Sequence, residues 1–210
     1  MENERIKGTR FSTVQIADNQ LICGLRLELD EPETVFPNVN LVNNNRLSYF
    51  YVRGDASRPV TSTLVIHHNA LPGTRSELRY VTGPASIVAN LDVRELWLID
   101  VTGATVKENH VKCPGLQTGE KGITVGNAAN NLFADNIIRR CSRAFYVYGS
   151  TGNIIVGNYA PESTIEMGST SSNNTIYDNA FAGHVGYGSN TWNVAPQAGP
   201  NIMDGPFIGG

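Results

Sequence analysis

Between residues 95 and 181 the apolar and polar positions of the chain repeat one pattern four times. Each copy opens on two apolar residues two apart: Leu96/Leu98, Ile123/Val125, Phe145/Val147 and Ile165/Met167. Each closes around an asparagine, Asn109, Asn136, Asn158 or Asn179. An apolar residue precedes it by three positions (Val106, Phe133, Ile155, Ile176) and another follows it by two (Val111, Ile138, Ala160, Phe181). Both halves advance together, by 27, then 22, then about 20 residues. Alternation at period two marks strands, and a fixed spacing in the twenties marks a coil of stacked strand-turn units. In such a coil the apolar positions stack rung on rung inside. The four asparagines then form a ladder at a turn, because the short amide bonds nearby backbone and tolerates left-handed conformations.

The flanking segments extend the pattern less regularly. Alternating or β-branched runs at Leu25–Leu29, Leu47–Val52, Thr61–His68, Leu78–Thr82 and Ser86–Asn90 read as further short strands. Their spacing gives no register against the core repeat. The division expected is a cap with irregular early rungs over 1–60, a coil over 61–193 and a Pro/Gly-rich tail over 194–210. A separate small β cap over 1–60 is the alternative. Past Phe181, Val185 and Tyr187 are expected to continue the inward apolar pair, with Trp192 in the place of Ile176.

An apolar residue three before Asn and another two after it, repeated every twenty-odd residues, resembles the right-handed parallel β-helix of the NosD type. The stretches Asn190–Asn193, Gly199–Ile202 and Gly205–Gly210 resemble the way such arrays end. The likeness covers 85–210. It implies an all-β, single-stranded right-handed parallel β-helix, a solenoid with rungs of about 20–27 residues. It also implies a place among the pectin-lyase-like carbohydrate-active β-helices, which include phage tailspikes, and it brings no catalytic motif.

Charge then narrows the partners. The formal net charge is −3, and no Lys or Arg follows Arg143. A phosphate-backbone binder needs a basic stripe, so nucleic acid is not an expected partner. No run of eighteen apolar residues occurs, so membrane insertion is not expected either. The start carries no apolar leader, and the extracellular or virion-surface location expected of such a module is what the resemblance implies. Cys113 and Cys141 fall in near-equivalent places on adjacent rungs. They are expected as two buried thiols, with a bridge as the alternative. His67, His68, His110 and His184 show no metal spacing, so no metal and no cofactor is expected.

Candidate chemistry lies on the outward positions between the inward pairs: Trp97, Thr124, Tyr146 and Glu166. Glu95, Gly122, Ala144 and Thr164 flank them on one side, and Ile99, Gly126, Tyr148 and Gly168 on the other. Flat rings beside sparse polar groups suit a sugar chain, so Trp97, Tyr146, Tyr148 and Glu95 are the expected substrate-binding residues. Packing of those rings against a loop or a sister chain is the competing reading. Glu166 and Arg143 are the candidate catalytic pair. Glycoside hydrolysis wants two carboxyls about 5–9.5 Å apart, whereas Glu95 and Glu166 stand three rungs, or ~14 Å, apart. Glu108, Asp135 and Asp178 cluster at another corner, where turn capping suits them better. The function expected is a tailspike-like carbohydrate-directed module that binds polysaccharide along this face, with or without cleaving it, as a homo-oligomer and by preference a trimer. A structural oligomeric shaft and a stand-alone polysaccharide lyase, hydrolase or epimerase are the alternatives.

Overall fold

The computed structural model describes residues 4–7, 13–19, 24–28, 36–115, 119–186 and 189–192. The described chain is all strand and turn, and every pairing between its strands is parallel. One sheet has nine strands, from Thr13–Ala17 to Ser189–Trp192. The other has eleven, from Glu4–Lys7 onward, and folds around a corner at the long strand Tyr159–Met167. That strand pairs with Arg143–Tyr148 along one face and with Ile137–Arg139 along a third, shorter face. The result is a three-sided solenoid.

The stacking expected from the repeat is present. Val106, Phe133, Ile155 and Ile176 pair in one column, and Leu96, Ile123, Phe145 and Ile165 in another. All eight are fully buried. Phe145 lies edge-on between Phe133 and Phe181, with ring centroids 5.8 and 5.9 Å away, so the walls interlock across the core. The early strands join the same ladders: Leu41, Ile66 and Ile87 continue the Val106 column, and Val52 and Leu78 the Leu98 column.

What keeps the register is asparagine. The Nδ2 of Asn109 donates to Asn136 Oδ1 at 3.0 Å and to the carbonyl of Ile87 on the rung before at 2.8 Å. The Asn109 backbone N–H also donates to Asn136 Oδ1. The same contacts join Asn44, Asn69, Asn90, Asn109, Asn136, Asn158 and Asn179. Each of the seven is buried, so each amide satisfies backbone groups that would otherwise be left without water. The residue before each turns left-handed, with φ between 51° and 65° at Asn43, His68, Ala89, Glu108, Asp135, Gly157 and Asp178. A second ladder, Asn131, Asn153, Asn174 and Asn190, serves the next corner.

Three expectations need correction. Cys113 and Cys141 are a disulfide rather than two thiols: their Cα atoms stand 5.0 Å apart on neighbouring rungs, inside bridging range. Val185 does not point inward. A register irregularity between Ala160 and Thr164 sets His184 opposite Ile165 and Val185 opposite Glu166, and Val185 is 53% exposed. Ala144 likewise leaves the outward file, because a shift between Arg143 and Phe145 puts Arg143 opposite Thr164 and buries Ala144. Tyr187, Cys23 and the tail over 194–210 lie outside the described residues.

Candidate functional site

On the outer surface of the eleven-stranded sheet, strand pairing fixes one column of side chains: Arg26, Tyr51, Glu77, Trp97, Thr124, Tyr146, Glu166 and Val185. The stretch from Trp97 to Glu166 is the file expected from the repeat. Upstream it gains Tyr51 and Glu77, which the repeat did not show.

Glu77 organises the upper part. Its carboxylate is fully buried although it stands on an outer face, because arginines two residues away on either side close over it. Arg75 Nε lies 3.1 Å from one oxygen and Arg79 Nε 2.8 Å from the other. Two close ion-pair contacts, neither with full hydrogen-bond geometry, offset part of the penalty of burying the carboxylate. Arg75 then stacks on the next rung, its guanidinium 4.0 Å from the Trp97 ring centroid. One face of the indole is thereby covered by the guanidinium.

Glu95 sits beside Trp97 on the same strand and is half-buried. Burial pushes its carboxyl above the ordinary value. The Trp97 indole N–H and the charges of Arg75 and Arg94 pull the other way, and Glu120 adds to the rise. The indole N–H faces this carboxyl without full hydrogen-bond geometry. A half-buried carboxyl that holds its proton to higher pH can donate it to an oxygen, which is the property a general acid needs.

Lower on the face, Lys121 Nζ lies 4.2 Å from the Tyr146 ring centroid, and the Tyr148 ring stands 5.3 Å from that of Tyr146. Tyr148 folds back over Gly126: a Cβ there would collide with the phenol ring and with Ile99. Glycine at that position lets the tyrosine lie flat along the sheet. Burial raises the Tyr148 pKa, with Tyr146, Asp100 and Glu77 adding to the rise and Arg79 opposing it. Arg143 and Glu166 come together as an ion pair. Glu166 stands three rungs below the strand that carries Glu95, ~14 Å away, so the face holds no close pair of carboxyls at Glu166.

Residues 38–210 match the family model described as periplasmic copper-binding protein (NosD). The chain belongs to the NosD family. No curated protein and no solved structure matches it. The match to the NosD model takes in every strand of the outer column from Phe50–Arg53 downward, so the aromatic face is built on the family's repeat. Among the described residues of this NosD chain, no three of His, Cys, Asp and Glu converge as a metal site. His67 Nε2 is 2.7 Å from Ser86 Oγ, and Cys113 and Cys141 are spent on their bridge.

Sequence reading missed Glu77 and Arg75. Their signal was present in the alternation Arg75-Ser-Glu-Leu-Arg79, where three charges share one face of a strand. Without the early register nothing tied them to Trp97.

Proposed function

We propose that this chain is a polysaccharide-binding β-helix that works outside the cytoplasm, laying an extended glycan along the outer face of its eleven-stranded sheet. The single observation that carries the reading is the column Tyr51, Glu77, Trp97, Thr124, Tyr146, Glu166, in which three partly exposed rings stand at every second rung, with the buried Glu77 and Thr124 between them. Tyr51, Trp97 and Tyr146 remain partly exposed, while Arg75 lies over one face of the Trp97 ring and Lys121 over one face of the Tyr146 ring. Braced aromatic surfaces lose little entropy on binding, and nearby carboxylates and guanidinium groups can fix hydroxyls. The periplasmic description of the family and the buried disulfide both favour an oxidising compartment. A tailspike setting draws on likeness of fold alone. If the face cleaves what it binds, Glu95, whose carboxyl burial pushes above the ordinary value, suits the role of proton donor, while Glu166 is engaged by Arg143.

The family description also names copper. The described residues of this chain do not fit it: His67 and His68 stand together without a third donor, the two core cysteines are oxidised, and no three-donor cluster forms. We therefore assign the outer face to carbohydrate and build no chemistry on a metal.

The test is tryptophan emission. With Trp192 replaced by Phe, titration with a panel of neutral and acidic polysaccharides should shift or quench the remaining Trp97 signal saturably for at least one of them. A panel that leaves the emission unchanged contradicts the reading. A homotrimer whose sister chains cover Trp97 and Tyr146 would do the same and would make the protein a shaft.

A further inference from the structure

Beside the outer column, where the short strand His110–Lys112 leads toward Lys121–Gly126, lies a cavity of about 230 Å³. Arg94, Lys112 and Arg140 line it, together with Pro114 and the Cys113 half of the disulfide, and Asp92 is the acid among its lining residues. The fold forces these cations together. Val93 pairs with Val111, which sets Arg94 beside Lys112. Lys112 and Arg140 each directly precede a half-cystine, so the Cys113–Cys141 bridge clamps them on neighbouring rungs. Arg140 Nη2 donates to the Pro114 carbonyl at 2.9 Å, which anchors its guanidinium at the cavity.

Like charges brought together on adjacent strands cost stability. At several other places the chain answers cations with acids: Glu77 lies between Arg75 and Arg79, Glu166 pairs with Arg143, and Lys107 meets Glu108 and Asp135. Among the described residues, Arg94, Lys112 and Arg140 form no ion pair, in a protein whose net charge is −3. Three cations that line one cavity without forming an ion pair, against the single acid Asp92 among the lining residues, are complementary to a multivalent oxygen anion: the guanidinium groups supply paired donors and the ammonium a point charge.

We propose that this cavity is an oxyanion site, for a sulfate or carboxylate either free or carried on an acidic polysaccharide. The inference does not depend on the aromatic column, and its test leaves that column intact. Sodium sulfate is titrated calorimetrically into the full chain at constant ionic strength, beside dextran sulfate and neutral dextran. The variants are K112Q and R140Q, with K107Q removing the same charge from the opposite sheet. Sulfate or dextran sulfate should bind saturably, about fivefold or more weaker in K112Q and R140Q and unchanged in K107Q. Because Lys112 is exposed, K112Q should keep the circular dichroism and melting temperature of the parent. A response confined to free sulfate marks a small anion, and one confined to dextran sulfate, with neutral dextran inert, marks a polymer. Either result supports the site. Absence of saturable binding by both, or an equal loss in K107Q, overturns it.

Discussion

Asn158 and Asn179 are joined twice: the Asn158 backbone N–H and its side-chain Nδ2 both donate to Asn179 Oδ1, at 2.9 and 2.8 Å. Asn158 repeats the arrangement toward Asn136, whose N–H and Nδ2 donate to Asn158 Oδ1 at 3.0 and 2.9 Å. A second Nδ2 contact reaches the Phe133 carbonyl. One side chain therefore serves three rungs from a fully buried position.

Asn158→Ala should accordingly be severe. It strips the partner from the Asn136 N–H and the Phe133 carbonyl, and each buried group left unpaired costs about 1–3 kcal/mol. A loss of about 3 kcal/mol or more in chemical denaturation is expected. A midpoint equal to that of the parent would show that the ladder carries no load.

The disulfide predicts a second loss. It closes a loop of sequence separation 28 between neighbouring rungs. Replacing both cysteines by serine should cost about 3 kcal/mol through the freedom returned to the unfolded chain. Denaturation of the parent with and without reductant, beside the double variant, measures it. Equal stability of all three would mean that the bridge constrains nothing.

Glu95 sets a pH dependence of defined sign. Its folded pKa lies above the ordinary value near 4.5, chiefly through burial. The folded state thus binds this proton more tightly than the unfolded one, so its contribution to stability falls as pH rises from about 4.5 through the folded value. Glu95→Gln removes that penalty. Melting temperatures of parent and variant should be closest near pH 4 and separate toward pH 7, with the variant relatively more stable. A gap that does not change with pH contradicts the assignment.

How far the sequence spoke for itself varied along the chain. From Leu96 to Phe181 the period-two pairs and the asparagines keep one register, so the inner columns and the outer file Trp97, Thr124, Tyr146, Glu166 were legible without coordinates. The early rungs were hidden because their spacing drifts, with ladder steps of 25, 21 and 19 residues between Asn44, Asn69, Asn90 and Asn109. Loop length absorbs the drift while the amide contacts hold. The signal was still there: Leu41, Ile66 and Ile87 each stand three residues before their asparagine, as Val106 does. Val185 and Ala144 were misplaced because irregularities in pairing, of two residues between Ala160 and Thr164 and of one between Arg143 and Phe145, change which residue stands opposite, and no local pattern marks them. The site beyond its central file depended on Glu77 and Arg75, which only the early register brings to Trp97.

If the outer column is a glycan track, Trp97→Ala and Tyr146→Ala should each lose affinity for the polysaccharide that shifts Trp97 emission. Binding is read by calorimetry, and oligomeric state and melting temperature are recorded alongside. An aromatic contact of about 1–2 kcal/mol predicts a fall in affinity of roughly fivefold to thirtyfold for each variant. The fold should persist, since both rings stand on the outer face and neither belongs to the buried core. Variants that bind as tightly as the parent, or that dissociate or melt early, would contradict the track and return the rings to packing.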